Sequence, residues 1–580
     1  MSNERIIPSE APKTVSTFTI VSEGNEISRE YHILSITVSK EVNRIPSATI
    51  ILTDGDPASE TFEASNQPDF EPGKGIEVYT GFSSDEELIF SGLVVRHSIK
   101  VRPDVSLLII ECKDTAVRMT GILKNHCFRD MTDSDAFEEL LTAYELDKSV
   151  ASTSLTHRQL VQYNSTDWDF MLCRCDAIGM LCYVSDGKVT IAPPELGAEP
   201  ALTIQYGATI LDLDAEIDAR LQFKAVKGSS WNYTELKLDK DTEASISEPV
   251  DAGNLSYDQL SLSEDSYILS YGGKMETSEI QDWVNSKMLR HRLARIRGKV
   301  RTEGTAAVTP GQFIQINGIG DRFEGKLYVT GVRHEIANGS WETVFQFGIN
   351  PEWFSETFNI QQPLAGGLLP GIEGLQTGIV VQLQDDPEGE DRILVHIPVM
   401  HQEGEGIWCR ICTLDAGDKR GSFFRPEIED EVLVGFINND PRHGIVMGML
   451  NSSSKPAPIS AQDDNHEKGF ISRASMKILF DDDAKSISIS TPEGNTVQLS
   501  EKDKQIMITD QHGNELIMNE SGIKLESAGD IILNAKKDIQ GKGANIKMKG
   551  DTEVQIEGSS KAELISSGTT NVKGGMVNIN

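Results

Sequence analysis

From about residue 478 to the end of the chain, apolar residues come as alternating pairs: Ile487/Ile489, Val497/Leu499, Ile506/Ile508, Leu516/Met518, Ile523/Leu525, Ile531/Leu533, Ile546/Met548, Val554/Ile556 and Val577/Ile579. Most pairs start seven to ten residues apart, with gaps near 539 and 564. Gly, Asn or Asp punctuates most intervals, as at Gly494-Asn, Gly513-Asn, Gly529-Asp and Gly550-Asp. Each unit reads as one short strand with two residues facing one way, then a turn. Two inward residues per strand bury too little apolar surface to offset backbone ordering of ~1–2 kcal/mol per residue. Such a segment also leaves strand edges open.

Winding three copies around a common axis solves both problems. Inward pairs then meet in a narrow core, and each strand finds partners on neighbouring chains. A single-chain solenoid or a disordered polar tail are the other readings. The alternation holds through most of the segment and argues against disorder, and single-chain solenoids carry a fuller inward row per coil. The expected core of an intertwined trimer is therefore Ile487, Ile489, Val497, Leu499, Ile506, Ile508, Leu516, Met518, Ile523, Leu525, Ile531, Leu533, Ile546, Met548, Val554 and Ile556.

With 580 residues the chain is too long for one core. Its net charge of −35 argues against nucleic-acid binding by a basic patch, since phosphate contacts need clustered Lys and Arg. No stretch is apolar enough to span a bilayer, and the polar N-terminus lacks the apolar h-region of a secretory signal peptide. Seven cysteines, an odd number, suit free thiols in a reducing cytoplasm. Cys409 and Cys412 form a CxxC on an expected strand, where an offset of three puts the thiols on opposite faces.

Upstream, short strands are expected over 35–38, 47–52, 76–79, 88–95 and 107–112, separated by turn sequences such as Pro72-Gly73. A helix follows, capped by Asp135, with Phe137, Leu140, Leu141 and Tyr144 on one face. A second is expected over 168–178, opened by Thr166-Asp167. A third runs over 279–297, capped by Thr277 or Ser278, with Ile280, Trp283, Val284 and Met288 as its apolar stripe. Its Arg290, Arg292, Arg295 and Arg297 would suit the negative end of the helix dipole. The stretch 238–263 reads as an acidic loop. The chain thus divides into a tail (1–16), a hub of two β-barrel lobes with helical insertions (17–360), a Pro/Gly linker (361–375), a five-stranded OB-fold barrel (376–455), a second linker (456–477) and the β-helix (478–580). The expected fold class is mainly β.

No motif supplies an enzyme. GxxxxGK[ST], HExxH and GxSxG are missing, and Gly318-Ile-Gly320 breaks the dinucleotide fingerprint at its third glycine. His396 and His401 flank a turn with no third ligand at metal spacing. Asp385-Asp386 and Asp481-Asp-Asp483 read as solvated turns rather than Ca²⁺ sites. No cofactor and no metal are expected.

The segments Thr377-Gly-Ile-Val-Val-Gln382, Trp408-Cys-Arg-Ile411, Glu431-Val-Leu-Val-Gly-Phe436, Asn439-Asp-Pro441 and Val446-Met-Gly448 resemble the VgrG spike proteins. So do Val42-Asn-Arg-Ile-Pro46, Phe90-Ser-Gly92, Cys112-Lys-Asp114, Asp167-Trp-Asp-Phe170, Pro310-Gly311 and Val329-Thr-Gly-Val332 in the hub. Where the family has a glycine before the barrel strand at 431, this chain has Glu429, which puts the local turn geometry in question. The resemblance implies a homotrimeric central spike of a contractile injection system, either a type VI secretion apparatus or an extracellular phage-tail-like particle. It implies a hub on an inner tube hexamer, baseplate contacts, possible effector cargo and transient contact with a target membrane. It also implies a PAAR-type tip protein docked near Val577, Asn578, Ile579 and Asn580. The family's phage members often carry a lysozyme domain between barrel and needle, and only 456–477 lie there in this chain. The chain would be made in the cytoplasm, assembled into the particle, and then released or delivered. Two other readings stand beside this one: a true phage tail hub and needle, and, from another class, a cell-wall hydrolase or toxin carrier.

Overall fold

The computed structural model describes residues 15–246, 252–400, 404 and 406–579. The expected tail up to residue 14, His401 and Asn580 lie outside the described residues. The chain is mainly β and divides into two compact units, Met1–Gly371 and Ile372–Asn580.

In the first unit a 13-stranded sheet runs through two lobes. Its path is Asp212–Ile217, Ile296–Glu303, Ser340–Phe347, Gly325–Ala337, Ile33–Glu41, Ser47–Thr53, Ser106–Lys113, Asp85–Val101, Gly75–Phe82, Ser16–Ser22 and Asn25–Glu26, with Phe313–Asn317 and Leu202–Gln205 branching from Gly325–Ala337. The lobes share the hairpin made by Gly325–Ala337 and Ser340–Phe347. One end of that hairpin places Ile336 and Trp341 against Ile36, Ile50, Val78, Phe90 and Ile110. The other end places Val329 and Phe347 against Val300, Ile314 and Ile316. Strands this long can serve two cores because alternate residues keep facing inward along their length. In the first lobe the Ser16 N–H donates to Gly339 O at 3.1 Å and brings the first strand back to the shared hairpin.

The helices pack beside these lobes, and their ends differ from the sequence expectation. The first, Asp133–Thr142, is capped by Thr132, not Asp135; Asp135 is the third helical residue and returns the bond as a capping box. The second, Asp167–Ile178, has Thr166 as its cap and ends in Gly179 at φ 73°, where glycine avoids the left-handed penalty. The third stops at Leu293, four residues early, because Ile296–Glu303 is claimed by the sheet. Its cap position is Glu276, and no side chain caps it. Ile280, Val284 and Met288 are buried as expected, but Trp283 is only half-buried. The arginines are struts rather than dipole partners. Arg290 pairs with buried Asp176 and donates to Glu352 O. Arg295 donates to Leu255 O and stacks on Tyr257, and Arg297 pairs with Glu216. Within 238–263 the chain forms a short capped helix, Tyr257–Leu260, where a loop was expected.

The second unit opens with a closed five-stranded barrel of Gln376–Gln382, Ile393–His396, Ile407–Ile411, Gly444–Met449 and Glu431–Phe436. It closes through the parallel pair Arg410↔Ile445 around Val380, Val395, Cys409, Val432, Val434 and Val446. Cys409 is buried and Cys412 exposed; burial pushes the Cys409 thiol up to about 12. Asp386 caps its own turn and binds Arg392, which holds its carboxyl below the usual range. Glu429 takes φ 70°, so the turn keeps the left-handed geometry that a glycine would adopt.

Candidate functional site: an apolar face and an unpaired segment

After the barrel, seven five-residue strands form an antiparallel meander: Glu467–Ile471, Lys477–Asp481, Ser486–Ser490, Thr496–Ser500, Gln505–Thr509, Glu515–Asn519 and Gly522–Glu526. The stretch read as a linker, 456–477, therefore contains the first of these strands. The expectation that every strand pairs with a neighbouring chain is corrected here, because the seven strands pair successively within their own chain, in six pairings. Short turns favour this local pairing. At 491–495 and 510–514 the same turn recurs. Gly494 and Gly513 adopt φ 97° and 87°, and the Asn495 and Asn514 amides donate back to Thr491 and Asp510.

The register aligns the apolar pairs into two columns on one face. One column runs Phe470, Ile478, Ile489, Val497, Ile508, Leu516, Leu525. The other runs Lys468, Phe480, Ile487, Leu499, Ile506, Met518, Ile523. Sequence reasoning missed Phe470, Ile478 and Phe480, although Ile478/Phe480 shows the same alternation as the pairs below it. The face is open: Ile489 is 49% and Ile508 40% exposed, whereas Val446 in the barrel core is 0%. The opposite face carries Ser488, Gln498 and Lys524 together with Leu479, Met507 and Ile517. An apolar surface this continuous marks an interaction site rather than ordinary surface.

Beyond Glu526 the described residues form no strand. At 527–530 a polar turn ends the meander: the Ser527 hydroxyl and the Ala528 N–H both donate to the Asn514 side-chain oxygen. Ile531, Leu533, Ile546, Met548, Val554 and Ile556 keep their alternation but have no hydrogen-bonded neighbour strand and are all exposed, Ile556 at 78%. Val577, Asn578 and Ile579 are likewise exposed. Were this run buried, its backbone N–H and C=O groups would need protein partners.

Among the described residues, no group of three or more His, Cys, Asp or Glu is placed to hold a metal ion, and no helix is long and apolar enough to cross a membrane. His396 sits on a barrel strand, and Gly318 and Gly320 lie in a turn between two strands of the second lobe.

A β hub, a closed OB-type barrel and an alternating apolar tail together make the chain VgrG-like. Residues 376–450 match the type VI secretion system/phage-baseplate injector OB domain. Residues 12–338, more than half of the chain, match the Alg8 N-terminal domain, and the chain belongs to that family. Two curated relatives are the type VI secretion system spike proteins VgrG1b and VgrG1a of Pseudomonas aeruginosa. The first is 26% identical over 33% of this chain and 27% of its own length. The second is 27% identical over 32% of this chain and 30% of its own length. The chain thus spans under a third of the length of the curated relatives it matches. A solved E. coli protein, described as a type VI secretion component similar to the phage T4 tail proteins gp27 and gp5, aligns over 74% of this chain and 99% of its own, at 13% identity and TM-score 0.38. The likeness to VgrG rests on the injector OB-domain match and the curated spike proteins.

Proposed function

We propose that this chain is the trimeric central spike of a contractile injection system, linking the inner tube and baseplate to a membrane-puncturing needle. The observation that carries the reading is the pairing of an open apolar meander face with a following run, 527–579, that has alternation but no strand partner among the described residues. Three copies would cover three such faces against one another. Their distal runs, wound together, would supply one another's missing strand partners, with Ile531, Leu533, Ile546, Met548, Val554 and Ile556 inward. Such a shaft has no free edge and resists bending, which suits a part driven through a membrane by sheath contraction.

In this reading the hub meets the inner tube hexamer and baseplate, and a PAAR-type tip protein caps the end near Val577, Asn578, Ile579 and Asn580. Effector cargo would travel on the spike. The chain acts mechanically rather than as an enzyme, and passes from the cytoplasm into the particle and then to the target. The OB-domain family spans type VI and phage baseplates, so the central hub and needle of a contractile phage tail is the second reading; capsid genes beside this one would favour it. A peptidoglycan-release assay tests the hydrolase reading, with no release expected.

The direct test is mass in solution. Three times 63.8 kDa is expected, and a monomer at micromolar concentration would overturn the proposal. Ile531→Asp should abolish the trimer or sharply lower its melting temperature, since it places three unpaired carboxylates in one narrow core.

A further inference from the structure

Between the barrel strands Ile407–Ile411 and Glu431–Phe436 the chain makes a long excursion carrying a two-residue-per-strand hairpin, Ala416–Gly417 with Arg420–Gly421. This excursion borders an open pocket of about 560 Å³ lined by Phe423 and Phe424, by four cations and by the carboxylates of Glu390, Asp391 and Asp415. Phe423 is 78% exposed and Phe424 58%. Arg420 pairs with Asp415, and Arg425 with Asp391. Arg410 and Lys419 have no carboxylate partner among the described residues. Exposed phenylalanines beside arginines are the composition of a protein-binding hot spot. Unpaired cations are conspicuous in a chain with 89 Asp and Glu against 54 Lys and Arg.

The pocket is continuous with the meander face. Phe424 stacks on Phe470 at 5.2 Å, and Arg473 in the adjoining turn pairs with Glu427 at 2.6 Å. Phe470 heads one apolar column, so this pocket borders the edge where the hairpin Glu467–Ile471/Lys477–Asp481 turns at 472–476. The other end of the same hairpin, one strand length or ~17 Å away, is the acidic turn with Asp481, Asp482 and Asp483. Its own countercharges are open to solvent. Asp482 is hydrogen-bonded to the Lys468 ammonium, and Asp483 lies 3.6 Å from Lys502; ion pairs this exposed contribute little. In a closed three-fold ring the interfaces are heterologous, so one edge of each face meets the opposite edge of the next at the same height. That geometry brings the acidic turn of one copy to the cationic, aromatic pocket of its neighbour.

We infer that the Phe423/Phe424 pocket, with Arg410 and Lys419, is a clasp that receives the 481–483 turn of a second copy of this chain. The inference rests on the trimer proposed above. Phe423 and Phe424 would pack over the turn, while Arg410 and Lys419 face Asp482 and Asp483 and set the rotational order of the three chains.

The test uses the full chain with Ser422→Cys, which lines the pocket, and Ala484→Cys, beside the acidic turn, in a Cys412→Ser background, with native mass measured first. On mild oxidation, loss of the single-chain band to covalent dimers and trimers on a denaturing gel is expected. Adding Asp482→Lys should slow that cross-linking about tenfold, and adding Arg410→Glu with Lys419→Glu should restore it. A trimeric native mass without inter-chain cross-links overturns the clasp and leaves the trimer standing. A monomeric native mass overturns the trimer, and the clasp falls with it.

Discussion

Glu429 shows how one residue can depart from a pattern without changing the structure around it. Its φ of 70° costs an L-residue ~1–2 kcal/mol. The turn survives because the Glu429 N–H donates to Val380 O at 2.8 Å and Lys455 donates to Glu429 O at 2.7 Å. Glu429→Gly should relieve the strain while giving back ~0.5–1 kcal/mol of unfolded-state entropy. The expected net is a barrel more stable by about 0.5 kcal/mol, read from the midpoint of urea unfolding; a destabilised variant would mean that the turn is not strained. Buried His334 makes a second residue-scale case. Burial first, and the Lys40 charge second, lower its pKa from 6.5 to about 3. The folded protein holds it neutral while the unfolded chain takes up a proton below pH 6.5, so the stability it contributes above pH 6.5 is lost as pH falls toward 3. Buried Asp114 and Asp176, whose pKa values are raised by burial, act with the opposite sign. The His334→Gln variant therefore isolates the effect: its unfolding free energy should fall less than the wild type's between pH 6.5 and 4. Parallel profiles would remove His334 from the account.

At the scale of elements, the meander makes a prediction in which neighbouring residues should behave in opposite ways. Ile508 and Gln498 lie on adjacent strands but face opposite sides. In the proposed trimer Ile508→Lys should lower the melting temperature of the trimer by well over 10 °C, three buried charges at several kcal/mol each, and Gln498→Lys should leave it within a few degrees. Equal effects would mean that the apolar columns face solvent. This element also shows what the sequence made legible. Alternation gives the facing of Ile487 through Leu525 directly, because period two admits one register per face. It does not say which chain supplies the neighbouring strand. The turns decide that: the repeated Gly494-Asn495 and Gly513-Asn514 corners close hairpins within one chain, and no such corner follows Ser527 in the described structure. The third helix was legible in its buried stripe but not at its ends. Arg295 and Arg297 are drawn off to Leu255 and Glu216, far away in sequence. Thr132 lost its capping role to Asp135 in the sequence reading because either residue fits a capping box, and only backbone geometry tells the two apart.

The molecule as a whole carries −35 per chain, so three chains would bring 3 × −35 = −105 together. This repulsion is long-ranged, whereas the clasp and the apolar faces act at contact. Salt shortens the electrostatic reach from ~30 Å at 0.01 M to ~10 Å at 0.1 M. Between those concentrations, screening should remove more repulsion between whole chains than attraction between Arg410, Lys419 and the 481–483 turn, which meet within a few ångströms. Assembly should therefore speed up with salt, even though the proposed clasp is itself an ion-pair contact. The measurement is the rate at which trimer mass appears by light scattering after dilution from denaturant, at 10 and 150 mM NaCl. A several-fold faster rate at the higher salt is expected. A slower rate would mean that local charge complementarity steers the encounter. In that case Arg410→Glu with Lys419→Glu should abolish the salt dependence, whereas under whole-chain repulsion the same variant should make it steeper.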